Sequence, residues 1–380
     1  MDPLAISEGW SLGHIEQSMH EVVGAGGAAL QVNKDFVGKH RGALHDAARL
    51  QLLATWARLA TDRQLRFHAA NKPAAVLKTL CDYAPGIAAL RMCDGVLVGD
   101  SQVSRREALV PAIEKMTATD HLQWAQIIKG RTIDFTCVSG SKVQYLRPLF
   151  TERNEHAVSG KEDMFIFLSA LSEFVAKADA ERIPQDFLKA CAIFASELMK
   201  NTQEHATRDH AGRPYIEHVE GLIISWHEMT SEFYGDDFQG HPRLLDFWQR
   251  EQVPVREGAT TALRCLQLSF FDTGPGFASR AMGKPLSELS LNDEREAMFT
   301  SLSKNATTKA ETGAGNGIPE VLEALRQVGG LMTIRSGRLR IFKSFEPGDT
   351  SDMFQFDEWS NAPLAPAAGA VVSLILPIRR

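Results

Sequence analysis

Apolar positions at helical spacing, Leu44, Ala48, Leu52, Trp56 and Leu59, predict a helix over about 41–62. Short apolar runs around it read as strands: 28–32 after Gly26-Gly27, the alternating 65–68, and 96–99. Helices are expected over 74–80 and 87–92, with Pro85-Gly86 marking the break between them. This alternation of strand and helix predicts a small α/β layer domain. Residues 100–150 give helices at 106–116 and 122–128 and a strand-like run at 132–138. The stretch 151–163 is polar, which places a domain boundary at 155/156.

In the second half, 164–178 reads as a strongly apolar helix. The next helix, 186–206, carries its stripe at Phe187, Ala190, Cys191, Phe194, Leu198 and Met199; Pro184 precedes it and Asp186 is the expected cap. Strands are expected at 221–226 and 263–271, separated by a polar, aromatic-containing insertion over 230–261. The second strand runs directly into Asp272-Thr273-Gly274-Pro275-Gly276-Phe277. Thr312-Gly313-Ala314-Gly315-Asn316-Gly317 then opens a helix at 320–328, Gly329-Gly330 turns into a strand, 338–356 adds strand-like sequence, and 369–377 closes the chain as a strand.

The chain has 380 residues, enough for two domains, with 44% hydrophobic and 23% charged residues and a net charge of −6. That balance gives no global signature of a nucleic-acid or membrane binder. No apolar run approaches the ~18 residues of a membrane span, and the first residues lack the pattern of a signal peptide. The five cysteines are scattered, mostly in apolar runs and without metal spacing, as expected of buried thiols in a cytoplasmic protein.

Candidate chemistry sits in three places. Glu197 and Asn201, four apart, share one helix face, where a carboxylate and an amide oxygen can hold a water and a metal against one phosphate. Taken alone, the pair reads as a solvated polar stripe. Asp272 ends a buried strand and is followed by glycines, a fixed acceptor suited to a donor such as an exocyclic amine; a turn-capping Asp is the plain alternative. The run around Gly313, Gly315 and Gly317 exposes backbone N–H groups at a helix start, suited to phosphate. Ile318 stands where the dinucleotide fingerprint needs a glycine, and no Gly-Lys-Ser/Thr follows for a P-loop. Leu44-His45-Asp46 resembles the phosphoacceptor triplet of some sensor histidine kinases, but a surface histidine on an amphipathic helix is the preferred reading, since strands on both sides do not suit a long helical hairpin.

In order, ELMKNTQEHA, DTGPGF and TGAGNGI resemble the N box and the two glycine boxes of the ATP-binding domain shared by gyrase, mismatch-repair ATPases and sensor histidine kinases, the GHKL family. The resemblance covers about 165–380. It implies an α+β fold: a Bergerat-type two-layer α/β sandwich with a mixed, mostly antiparallel sheet, here as a domain over 156–380 behind an α/β regulatory or partner-binding domain over 1–155. Asn201 would bind Mg²⁺, and Glu197 would orient or deprotonate the water attacking ATP. Asp272 would accept from adenine, with Gly274 and Gly276 beside the base. Gly313, Gly315 and Gly317 would let a polar lid over 277–312 close on the phosphates, with Lys304 or Lys309 reaching them. Ala370 stands where a Thr or Ser often contacts phosphate, and Ser373 would substitute. The expected function is a cytoplasmic Mg²⁺-dependent ATPase whose nucleotide state switches a protein partner bound through the first domain. A histidine- or serine-type protein kinase and a nucleotide-binding module without turnover are the alternatives, and a homodimer is compatible with each.

Overall fold

The computed structural model describes residues 2–379 apart from 7, 8, 10, 69–71, 256–259, 308–316 and 361, and of 37 and 303–307 the backbone alone. The first half builds a five-stranded sheet in the order β1 (Leu4–Ala5), β2 (Leu30–Gln31), β3 (Gln64–Phe67), β4 (Gly95–Val98) and β5 (Ser101–Ser104), parallel up to β4 and closed by an antiparallel β5. Its main helices are α1 (Leu12–Gly24), α2 (Ala43–Leu59) and α3 (Ala84–Met92). The helix expected over 106–116 is two, Arg105–Ala108 and Ala112–Asp120, because Pro111 has no N–H to continue the first and starts the second.

The second sheet has eight strands. Its path runs β12 (Asp357–Glu358), β11 (Leu339–Phe345), β10 (Gly330–Gly337), β13 (Ala367–Pro377), β9 (Thr261–Asp272), β7 (Val219–Thr230) and β6 (Thr132–Val138), with β8 (Gln252–Pro254) beside β9. All its pairings are antiparallel. Helices α4 (Lys161–Ala176), α5 (Gln185–Asn201) and, later in the chain, Gly317–Val328 cover one face, with Phe187, Phe194, Leu268, Phe270, Leu322 and Leu374 in their shared core. The chain is an α+β sandwich, the fold class expected for it.

Two features differ from the expected two-domain layout. Strand β6, ahead of the expected boundary, is hydrogen-bonded along its length to β7, and Leu149, Phe150 and Val158, on either side of that boundary, are buried in the same core as α4 and α5. Within the polar stretch 151–163, residues 151–156 form a surface turn of this unit and Lys161 already begins α4. The sheet's other face is also covered: one core joins Leu52 and Trp56 of α2 and Leu30, Leu65 and Val96 of the small sheet to Leu263, Cys265 and Leu331 of the large one. This explains why β9 and β13 read as nearly unbroken apolar runs, since strands covered on both faces lose the alternation that marks a half-exposed sheet. The insertion between β7 and β9 has the expected limits and holds α6 (Pro242–Glu251), with Phe238, Phe247 and Trp248 packed beside Trp359. No helix among the described residues is long and apolar enough to cross a membrane.

Candidate functional site

Helix α5 begins at Gln185 after Pro184, whose fixed φ suits a helix start. Asp186 lies in the first turn and pairs with Lys189 at 3.0 Å, so the expected Asp186 cap is not formed. The apolar stripe faces the sheet and leaves Asn201 exposed at the last turn. The chain then widens into a π-helical turn, Thr202–Ala206. From that turn the buried Gln203 donates to Glu220 of β7. The turn also seats the loop that follows β9: a Cβ on Gly274 would lie 2.6 Å from the Ala206 carbonyl oxygen, so only glycine fits there.

Strand β9 delivers Asp272 to the same end of the sheet. Its carboxylate accepts from the Gly274 N–H at 2.9 Å and from the Ala370 N–H of β13. Removal from water pushes its pKa up to about 6, against those two donors and Arg58. The carboxylate therefore has the Asx-turn role that the plain alternative assigns it, and it also lines a cavity. Leu198, Met199 and Thr202 from the helix side, Gly221, Phe270, Phe271, Asp272, Ala370 and Val372 from the sheet, and Phe277 enclose about 40 Å³. That is room for a few waters.

Glu197 lies beside this cavity, one turn before Asn201, and accepts from the Gly317 N–H at 2.7 Å. Gly317 is the first residue of the helix Gly317–Val328. A Cβ there would stand 2.9 Å from both Phe194 Cα and Glu197 Oε2, so glycine is what lets the two helices close on each other. The carboxylate meets the positive end of that helix, where an anion is stabilised. The structure thus brings Glu197, Asp272, Gly274 and Gly317 to one end of the sheet, with Asn201 at the solvent edge.

Other expected residues are placed differently. Gly276 adopts φ +81° and precedes helix Phe277–Met282; a Cβ there would meet Ser336 Oγ at 2.7 Å and the Gly369 carbonyl at 3.2 Å. Its need for glycine thus comes from the packing of this loop on β10 and β13. Ser373 is a correction: it is fully buried and shares a 2.7 Å hydrogen bond with Ser269, its register partner. Side chains alternate along a strand, so while Ala370 and Val372 point to the cavity, Ser373 points to the opposite face. The stretch expected to be a poorly anchored lid is helical at Phe277–Met282 and Leu291–Thr307, and Ala278, Leu289, Ala297, Met298 and Leu302 are buried, so apolar anchors hold it. Lys304 is on the second of these helices, with its side chain outside the described residues; Lys309, Gly313 and Gly315 lie outside them altogether.

His45 is neither an exposed acceptor nor a surface histidine. It is fully buried on α2 and 2.7 Å from Asp237, while Asp46 pairs with His40 and Arg49.

The residue that the sequence reading missed is Glu220, in direct register with Asp272. Burial pushes its pKa up to about 7, against the Gln203 hydrogen bond and with the neighbouring Asp272 charge adding to the rise. A lone carboxylate inside the apolar run Val219–Trp226 was the available signal. Among the described residues no group of three or more His, Cys, Asp or Glu is placed to hold a metal. No family model, curated protein or solved structure matches the chain.

Proposed function

We propose that this chain binds ATP with Mg²⁺ at the cavity beside Asp272 and hydrolyses it, and that its nucleotide state switches a protein partner in the cytosol. The observation that carries the reading is the Glu197–Gly317 hydrogen bond. It joins the N-box helix to the second glycine box, at the sheet end where Asp272 terminates β9. Helix α5 and strand β9 both line the cavity, and Glu197 of α5 holds Gly317, which supports the arrangement expected from the GHKL resemblance.

Asp272 would accept from the adenine amine while its ionised form is held by two backbone N–H groups. A purine exceeds the present cavity, so its entry requires wall side chains to move; Leu198 and Phe277 are partly exposed. The N–H at Gly317 suits a phosphate oxygen. Mg²⁺ typically keeps several waters and takes only one or two protein oxygens beside the phosphates, which fits Asn201, an exposed amide at the last turn of α5. When bound it would draw charge from the phosphate oxygens. Glu197, released from Gly317, would orient or deprotonate the attacking water.

The test is incubation of the purified chain with γ-labelled ATP and Mg²⁺, alone and with cell extract. Released phosphate supports hydrolysis; label on a protein supports the kinase alternative. Glu197→Ala should lower turnover by about 10²-fold while binding stays nearly intact. Wild-type turnover in that variant would remove Glu197 from the chemistry. Binding without phosphate release or labelling would leave the module reading.

A further inference from the structure

The polar side chains of α2 face the strand ends around Asp272. Gln51, Thr55 and Arg58 lie at helical spacing on one side of this helix. Gln51 donates from Nε2 to the carbonyls of Arg335 and Ala368, each at 3.2 Å. Thr55 Oγ1 accepts from the Ala368 N–H at 2.9 Å. Arg58 donates from Nη2 to the carbonyls of Thr273 and Glu217, each at 2.9 Å, and from Nε to Thr273 at 3.3 Å. Its guanidinium lies 3.7 Å above the Tyr215 ring.

These contacts fall on the backbone that holds the Asp272 carboxylate. Thr273 lies between Asp272 and the Gly274 N–H that donates to it. Ala368 lies two residues before Ala370, the other donor, and the Gly369 N–H closes the circle on the Gly274 carbonyl at 2.8 Å. Both backbone segments that cradle the carboxylate are therefore gripped from the helix of the first half.

We infer that Arg58, supported by Gln51 and Thr55, is a positioning residue for Asp272, so that ligand binding at the cavity depends on where α2 holds the strand ends. The inference rests on the reading of Asp272 as the acceptor for the ligand. It makes the first half part of the site rather than an appended unit. A partner that shifts α2 then alters affinity without touching the cavity. The planar fork of Arg58 reaches two carbonyls at once, which a lysine cannot reproduce. The charged and titratable groups around Asp272 are Arg58 of α2, Glu220 of β7 and Tyr215 just before β7. Of these, Arg58 favours the ionised carboxylate.

The test uses the full chain, wild type against Arg58→Ala, Arg58→Lys and Thr55→Val. Two quantities are read: the titration midpoint of the Asp272 carboxyl carbon by NMR, and MgATP affinity by calorimetry between pH 5 and 8. Arg58→Ala should move the midpoint upward and weaken binding about tenfold at pH 7, the scale of a misplaced buried hydrogen bond. Arg58→Lys should hold the midpoint near wild type, because it keeps the charge, yet lose affinity because the fork is gone. Thr55→Val, close in shape, should weaken binding in the same direction even if the Arg58 variants do not fold. A folded Arg58→Ala or Thr55→Val chain with wild-type midpoint and affinity overturns the inference. If wild type binds no nucleotide, the ATP reading falls, and the midpoint in the Arg58 variants still decides whether Arg58 acts on Asp272.

Discussion

The two faces of the eight-stranded sheet are built from different chemistry. Toward α4 and α5 the face is apolar: Leu266, Leu268 and Phe270 of β9 and Val372, Leu374 and Leu376 of β13, with Phe194 edge-on to Phe270 at 5.5 Å. Toward α2 the same strands present Gln267, Ser269 and Ser373, all fully buried. There the first N–H groups of α2 find partners on the sheet: Ala43 donates to Ser225 Oγ at 2.8 Å and Leu44 to Gln267 Oε1 at 3.2 Å. Arg335, buried on this face, makes a two-pronged pair with Glu16 of α1 at 2.8 and 3.0 Å. Apolar burial is non-directional and tolerates sliding and exchange. Buried hydrogen bonds and ion pairs tolerate neither, because an orphaned polar group bears the full cost of leaving water. Both faces bury apolar cores, and the α2 side adds buried hydrogen bonds and an ion pair that fix how the first half sits on the sheet.

Placing the same residue on each face gives the largest contrast. Arg335→Met strands Glu16 with Arg340 as its remaining buried partner and should cost about 3–5 kcal/mol. Leu268→Met, fully buried on the other face, should cost less than about 1.5 kcal/mol. Urea unfolding midpoints measure both, and equal losses would erase the distinction between the faces.

A pH experiment sharpens the contrast within the apolar face, where Glu220 and Asp272 intrude. Burial raises Glu220 from 4.5 to about 7 in the folded chain. The folded state therefore holds a proton that the unfolded state has released, and stability from this group is lost as pH rises from about 4.5 through about 7. Glu220→Gln keeps an acceptor for Gln203 and removes the titration. The variant should gain on the order of 2 kcal/mol over wild type at pH 8 and little at pH 4. Parallel stability profiles for the two proteins would show that Glu220 does not titrate abnormally.

Asp272→Asn should weaken MgATP binding about tenfold or more, from one buried hydrogen bond lost and its partner left unpaired. Calorimetry with unchanged affinity would take Asp272 out of the site. The smallest effect belongs to Ser373→Ala. It breaks one buried hydroxyl pair and should cost about 1 kcal/mol of stability with MgATP affinity unchanged. A loss of affinity there would restore Ser373 as a phosphate contact and would contradict the orientation of β13.

The sequence by itself determined most of the elements. Pattern located β6, β7, β9, α4, α5 and the limits of the insertion, because helical stripes repeat at 3.6 and strands covered on both faces stand out as short apolar runs between polar segments. It also singled out Glu197, Asp272, Gly274 and Gly317, whose residue types are unusual where they stand. It missed α1, although Leu12, Ile15, Met19 and Val22 stand at helical spacing on its buried face, with Glu16 and Ser18 buried among them. Only the tertiary structure decided the rest. A strand's pattern says that alternate residues share a face, not which neighbour covers it, so the turn of Ser373 away from the cavity, toward the α2 face, depended on register with Ser269. The boundary at 155/156 dissolved because β6 finds its hydrogen-bond partner 81 or more positions later in β7, a non-local pairing that no local window contains. Arg58 is an ordinary charged residue at the end of a helix in the sequence. Its place beside Asp272 exists because α2 crosses the second face of the sheet, and that packing is settled by side chains drawn from both halves of the chain.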